Sequence, residues 1–174
     1  MKVTLILYNP VIDHLQSTKD RNMLKEGSTA PAFKTKDANG ESVSLKDLRG
    51  QKVVLYFYPK DDTPGCTKEA CSFRDEFSKF KKKGITILGV SPDKEATHKK
   101  FETKYKLPFT LLADTDRSIA EAYGVWGEKK FMGRTYMGVH RTTFLIDEKG
   151  KIKKIFEKVK PEDHANEVLE AFAD

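Results

Sequence analysis

The feature that most constrains the fold is an uninterrupted run of β-branched and aromatic residues in the first third of the chain. The run extends from Val53 to Tyr58 and is ended by Pro59. A short run of this composition, with helical segments on either side, is typical of a strand that is buried on both faces. We therefore predict a central strand over residues 53–58, around which the other elements are arranged.

A helix is predicted to follow this strand after a short polar loop. Thr63 can cap the helix through its hydroxyl, and Pro64 occupies the first helical position, where a missing N–H matters little. Cysteine and apolar residues then recur at helical spacing on one face, and three lysines and a glycine are typical of the C-terminal end. The pattern predicts one helix over residues 64–83. The face consists of Cys66, Ala70, Phe73, Phe77 and Phe80.

Cys66 lies in the first turn of this predicted helix. Unpaired backbone N–H groups and the helix dipole favour a thiolate over a thiol at such a position, which makes the residue suited to act as a nucleophile. A free cysteine is also often a small apolar residue packed beneath a helix. Position alone leaves both roles open.

The second cysteine, Cys71, is five residues further along the chain. In an intact helix that spacing separates the Cα atoms by about 8–9 Å and by about 140° around the axis, whereas a disulfide needs less than about 7 Å. A bond between the thiols therefore requires the first turns to unwind, which favours a transient redox bond. A permanent disulfide is the alternative, although so short a loop would add little stability. Zinc would need four ligands, and no histidine or second cysteine pair lies nearby.

Length and composition favour a single domain. The chain has 174 residues and no linker rich in proline, glycine or serine. A mean hydropathy of −0.59 and the lack of an apolar run of about 18 residues argue against a membrane span. The 32 basic residues are interspersed with 26 acidic ones, so a solvated surface is favoured over a nucleic-acid-binding stripe. Two cysteines in a chain of this size fit a reducing compartment, and we expect a cytoplasmic protein.

The N-terminal segment differs from the remainder of the chain. Its apolar run, residues 3–8, is too short for a secretory signal and lacks a small-residue cleavage site. Because Met23 would serve as a natural start, residues 1–22 are interpreted as an extension that is non-native or disordered. A short strand at residues 3–8 is the structured alternative. Residues 23–174 are predicted to form the domain.

The remaining elements predict an α/β domain with a thioredoxin-like fold. Strands alternate with helices in the middle of the chain, and an antiparallel hairpin and a helix close it, which gives a mixed sheet with helices on both faces. An Asn-Gly turn predicts an N-terminal β-hairpin. Residues 124–140 show no period and are predicted to be a long loop. The further strands are predicted at residues 32–36, 42–45, 85–90, 109–112, 142–147 and 151–157, and the helices at residues 93–105, 118–123 and 161–172.

The residues around Cys66 resemble the active-site signature of the peroxiredoxins. The signature has the spacing Pro-x-x-x-Thr-x-x-Cys, which is met by Pro59, Thr63 and Cys66. Longer blocks are similar to the bacterioferritin comigratory protein, or peroxiredoxin Q, subfamily. The likeness extends from about residue 23 to the C-terminus and does not cover residues 1–22. Its blocks are residues 56–59, 63–67 with Cys71, 124–129 and 140–147.

This resemblance implies a peroxidase that reduces hydrogen peroxide and organic hydroperoxides without a cofactor or metal. It implies that Cys66 is the peroxidatic cysteine and Cys71 the resolving cysteine, that the two form an intramolecular disulfide, and that thioredoxin reduces it. It also implies that Pro59, Thr63 and Arg141 form the surrounding pocket. Arg141 directly precedes a predicted buried strand and so can supply a fixed guanidinium, although a salt bridge at the strand end is the alternative.

Two other functions fit parts of the sequence. A thiol–disulfide oxidoreductase also has a cysteine at a helix start after a central strand, but its usual motif has two intervening residues, whereas four separate Cys66 from Cys71. A non-catalytic binding module would instead use the basic surface and the aromatic segment after Gly124. No cysteine follows Cys71, so we expect that a monomer can complete the peroxidase cycle, and dimerisation stays open.

Overall fold

The computed structural model describes residues 24–173. The predictions for residues 1–22 and for a start at Met23 lie outside this range. The strands are β1 (Lys34–Asp37), β2 (Ser42–Ser44), β3 (Lys52–Phe57), β4 (Ile85–Ser91), β5 (Thr110–Ala113), β6 (Trp126–Phe131), β7 (Arg134–Val139), β8 (Thr142–Ile146) and β9 (Ile152–Phe156). The helices are α1 (Pro64–Asp75), α2 (Phe77–Lys82), α3 (Glu95–Tyr105), α4 (Ser118–Ala122) and α5 (His164–Ala173), with a 3₁₀ helix at Leu45–Leu48.

Seven strands form one mixed sheet in the order β2-β1-β5-β4-β3-β8-β9. The central strand β3 pairs in parallel with β4 and antiparallel with β8. The parallel pair is connected through α1 and α2, and β4 is connected to its parallel neighbour β5 through α3. At the N-terminal end, β1 and β2 pair antiparallel, and β1 also pairs with β5, so these two strands extend one edge of the sheet. The predicted α/β class and central mixed sheet are confirmed.

The residues of β3 alternate between two hydrophobic cores. Val54 and Tyr56 pack in the core that includes residues of α1, α2, α3 and α5. Leu55 and Phe57 pack on the other face of the sheet, in the core that includes residues of α4. All four side chains are fully buried. The predicted strand with two buried faces is therefore confirmed. The loop that precedes α1 begins at the C-terminal end of this strand.

The single helix predicted over residues 64–83 is wrong, because the chain leaves the helical path at Glu76. This residue has φ −97° and ψ 5°, so α1 ends at Asp75 and α2 begins at Phe77. Phe73 in α1 and Phe80 in α2 are both fully buried in the same core. The predicted apolar face is therefore kept in one core across the break.

The long loop predicted over residues 124–140 is also wrong. Strands β6 and β7 pair antiparallel in a separate two-stranded sheet, which we call the β6–β7 ribbon. Its two-residue turn consists of Met132 and Gly133, whose φ values of 48° and 75° are those of a type I′ turn. The Met-Gly pair lacks the Asn or Asp that usually marks such a turn. Because most of the ribbon is exposed, its sequence also lacks the alternation of a half-buried strand.

The closing elements follow the predicted order. Strands β8 and β9 pair antiparallel, and α5 packs against α1. The backbone N–H of Ala165 in α5 donates to Oγ of Ser72 in α1 at 3.1 Å. Within residues 24–173, no helix combines the length and the apolar character that crossing a bilayer demands.

Candidate active site

Cys66 lies in the first turn of α1, directly after the loop that leaves β3. Its side chain is only 2% exposed, and both cysteines are free. Thr63 is the N-cap residue, but the prediction that its hydroxyl caps the helix is wrong. That hydroxyl donates instead to the carbonyl oxygen of Lys60 at 2.9 Å. The first-turn N–H groups are therefore left without the usual side-chain acceptor, next to the sulfur.

Arg141 brings a positive charge to Cys66 from the segment between β7 and β8. Its Nη2 donates to Sγ of Cys66 at 3.3 Å, and its Nη1 donates to Oε2 of Glu69. A Cβ atom on Gly65 would lie 3.3 Å from Nη2, so the glycine leaves room for the guanidinium beside the helix start. Burial lowers the pKa of Arg141, but the charges of Glu69 and Cys66 outweigh this and raise it above its ordinary value. The guanidinium therefore remains charged beside the sulfur.

Glu69 is the residue of this site that our sequence analysis missed. Its side chain is fully buried, and burial raises its pKa from 4.5 to about 7, although the charge of Arg141 and its hydrogen bond pull the pKa down. Oε1 has no hydrogen-bond partner within the described part of the chain. A signal was present, since Glu69 is three residues after Cys66 and so lies on the same helix face. An acidic residue on that apolar face needs a cationic partner.

Of the other predicted site residues, Pro59 and Thr63 precede α1, whereas Cys71 lies further along this helix than Cys66. Pro59 is half-buried at the C-terminal end of β3, and the half-buried Thr63 immediately precedes α1. Cys71 is half-buried, further along the same helix as Cys66. Because α1 is continuous between the two cysteines, they are not in bonding position. The structure thus brings Cys66 and Arg141 into contact and leaves Cys71 apart.

A buried polar network fixes the loop between β3 and α1. Oδ1 of Asp61 accepts a hydrogen bond from the Tyr58 hydroxyl at 2.6 Å, and Oδ2 lies 2.7 Å from Nδ1 of His98. Nε2 of His98 lies 3.0 Å from the carbonyl oxygen of Leu112. Both ring nitrogens of His98 therefore lie within hydrogen-bond distance of an oxygen atom. The network supports the loop mechanically and stands apart from the sulfur.

The described residues do not form a metal-binding site. Residues 24–173 contain no group of three or more histidine, cysteine, aspartate or glutamate side chains placed to hold an ion. A buried cysteine at an uncapped helix start, with a guanidinium in contact with its sulfur, is instead suited to thiolate chemistry. On this thioredoxin-like sheet, the arrangement is the kind of site that enzymes with a reactive cysteine use.

Similarity to known proteins identifies the group of such enzymes. Residues 27–155 match the model of the AhpC/TSA family. A putative peroxiredoxin bcp of Coxiella burnetii is 52% identical over 146 residues, which are 84% of this chain and 97% of that protein. Peroxiredoxin Bcp of Escherichia coli is 50% identical over 148 residues, 85% of this chain and 95% of that protein. The solved bacterioferritin comigratory protein of Xanthomonas campestris has a TM-score of 0.77 at 36% identity, and the match covers 81% of this chain and 90% of that one.

The chain belongs to the AhpC/TSA family, and its relatives are peroxiredoxins of the Bcp and peroxiredoxin Q type. It is a thiol peroxidase enzyme. The predicted resemblance and enzyme class are confirmed.

Proposed function

We propose that the protein reduces hydrogen peroxide and organic hydroperoxides with Cys66 as the peroxidatic cysteine and Cys71 as the resolving cysteine. The observation that carries the proposal is the Arg141 guanidinium 3.3 Å from the buried Cys66 sulfur at the start of α1. The Xanthomonas campestris relative is described for its alkyl peroxide reduction activity, which supports organic hydroperoxides as substrates.

In the first step, the Cys66 thiolate attacks one oxygen of the hydroperoxide. The O–O bond breaks, Cys66 becomes a sulfenic acid, and the departing oxygen takes up a proton and leaves as water or an alcohol. Arg141 and the first-turn N–H groups are placed to stabilise the negative charge that passes from sulfur to the departing oxygen. Because the Thr63 hydroxyl donates its hydrogen bond to the carbonyl oxygen of Lys60, its oxygen is available to accept a hydrogen bond from the hydroperoxide O–H. Pro59 limits the access of water from the loop side.

In the second step, the Cys71 thiol attacks the sulfenic acid sulfur, a disulfide forms and water leaves. The first turns of α1 must unwind for the two sulfurs to meet. Two features support easy unwinding: this helix start has no side-chain cap and no acidic residue in its first turn. The incompletely satisfied Glu69 carboxylate also becomes solvated when these turns open.

In the third step, thioredoxin, a dithiol protein, reduces the disulfide and restores both cysteines. Both sulfurs belong to one helix of one chain, so a monomer can complete the cycle. We place this cycle in the cytoplasm, where the thioredoxin and glutathione systems keep protein thiols reduced.

Two cysteine variants test the proposal. Cys66→Ser should abolish peroxide consumption, because the nucleophile is lost. Cys71→Ser should form one sulfenic acid per molecule, detectable by mass spectrometry, but should not turn over efficiently with thioredoxin. Full peroxidase activity of either variant would refute the corresponding role. Insulin reduction by the wild-type protein at a rate above its peroxide consumption would instead favour a thiol–disulfide oxidoreductase.

A further inference from the structure

The β6–β7 ribbon carries the large apolar side chains that are exposed within residues 24–173. It is hydrogen-bonded to no strand of the main sheet. Exposed apolar side chains that are grouped in this way mark an interaction site more often than scattered ones do. They are Phe131, 66% exposed, Met132, 86%, Tyr136, 47%, and Met137, 55%.

The strand register divides the ribbon into two different faces. Directly paired residues of an antiparallel ladder point to the same side, and the side alternates along each strand. Lys129 pairs with Tyr136, and Phe131 pairs with Arg134. These four residues define what we call the cationic face, which has two positive charges, two aromatic rings and no acidic residue. The opposite face consists of Trp126, Glu128, Lys130, Thr135, Met137 and Val139.

The cationic face borders the active site. The Lys129 side chain lies over Gly138, and its Cδ would be only 3.1 Å from a Cβ atom added to that glycine. Its Nζ donates a hydrogen bond to the carbonyl oxygen of Val139 at 3.0 Å. Val139 is two residues before Arg141 in the chain. Burial lowers the pKa of Lys129, and the charge of Arg141 lowers it further, whereas Cys66 raises it. Lys129 is thus within electrostatic reach of the groups that form the site.

We propose that the cationic face docks the dithiol protein that reduces the oxidised enzyme, and that this partner presents an apolar surface with an acidic rim around its thiols. The inference rests on the proposed disulfide cycle. Aromatic and arginine side chains are the residues that most often anchor protein interfaces, and complementary charge raises the association rate and fixes orientation. A nucleic-acid site would need a longer series of cations than the two on this face.

Docking here brings the partner to the side of the molecule where Lys129 approaches Arg141 and Cys66. The partner's thiolate attacks one sulfur of the Cys66–Cys71 disulfide, forms a mixed disulfide and releases the other sulfur as a thiolate. The partner's second thiolate then displaces the enzyme, so the partner leaves as a disulfide and both enzyme cysteines are reduced. A small dithiol such as dithiothreitol performs the same two exchanges without needing the ribbon.

The test compares these two reductants in steady-state peroxide reduction. In the double variant Phe131→Ser with Arg134→Glu, the KM for thioredoxin should rise by about tenfold or more, the effect expected when interface anchors are lost. Turnover with dithiothreitol should stay within about twofold of wild type, because the reacting groups are untouched. The matched control, Met137→Ser with Lys130→Glu, makes the same kinds of change on the opposite face and should leave the KM for thioredoxin unchanged.

Three results would overturn the docking proposal. They are an unchanged KM for thioredoxin in the cationic-face variant, an equal rise in the opposite-face variant, and a wild-type enzyme that turns over with dithiothreitol but not with thioredoxin. In each of them, peroxide reduction with dithiothreitol shows that the peroxidase assignment still holds. A wild-type protein that consumes no peroxide with either reductant would instead refute the proposed function itself.

Discussion

Replacing Glu69 with glutamine should stabilise the protein at alkaline pH and leave its stability in acid unchanged. Burial raises the pKa of this carboxyl from 4.5 to about 7 in the folded protein, although Arg141 pulls it down. Between these two values the folded state binds more protons than the unfolded state, so the free energy of unfolding falls as the pH rises. A difference of this size corresponds to a loss of about 3 kcal/mol that is complete above pH about 7.

Glutamine has the shape of the protonated glutamate and does not titrate, so Glu69→Gln should escape this loss. Urea unfolding of the reduced wild-type and variant proteins between pH 4.5 and pH 8 measures this difference in the free energy of unfolding. We expect variant and wild type to be equally stable near pH 4.5, and the variant to be more stable by up to about 3 kcal/mol at pH 8.

The exposed glutamate in α5 supplies the control for this prediction. Glu170→Gln removes the same charge from the surface, where the effect should stay within about 0.5 kcal/mol. A Glu69→Gln variant that is less stable than wild type by several kcal/mol at pH 8 would be the opposite of the expected result. That result would show that the ionised Glu69–Arg141 pair is a net source of stability.

Three further substitutions test the geometry of the site and its supporting loop. Arg141→Lys keeps a positive charge but loses the forked guanidinium that contacts both Glu69 and Cys66. The rate of Cys66 oxidation, measured by stopped-flow mixing with peroxide, should fall by about 10²-fold or more. An unchanged rate would mean that the charge alone suffices. Gly65→Ala should slow the same step by a smaller factor, since the added methyl group displaces the guanidinium, and its urea midpoint should stay close to wild type. His98→Asn should lower the free energy of unfolding by about 1–3 kcal/mol, because Oδ2 of buried Asp61 loses its partner while Oδ1 keeps the Tyr58 hydroxyl; an unchanged urea midpoint would contradict this role of His98.

The features that sequence could predict are those set by local pattern. The apolar run over residues 53–58 suffices to place the central strand, because a segment of this kind has few alternatives to burial. Proline at a first helical position suffices to place Cys66 in the first turn of α1. The closing hairpin β8–β9 follows in the same way from an apolar run at residues 142–146 and a mixed segment with Ile152, Ile155 and Phe156, separated by a Glu-Lys-Gly turn.

The features that sequence did not predict depend on contacts between distant segments. Glu69 has a cationic partner only because the fold brings Arg141 to it across 72 positions of the chain. Similarly, the carboxylate partner of His98 is Asp61, which is 37 residues away. The helical pattern places Glu69 on the apolar face, but it does not identify the cation that Glu69 meets there. The contact of Arg141 with Cys66 was expected from the family resemblance and not from periodicity.

In the proposed cycle, peroxide oxidises Cys66, and α1 then unwinds so that Cys71 can attack the oxidised sulfur. The most direct test mixes the reduced protein with one equivalent of hydrogen peroxide and follows it by intact-mass analysis and peptide mapping. We expect the protein to lose two hydrogen atoms and to give one peptide pair joined through Cys66 and Cys71. A lasting sulfenic acid on Cys66 with Cys71 still open to alkylation, or no oxidation at all, would rule out this cycle.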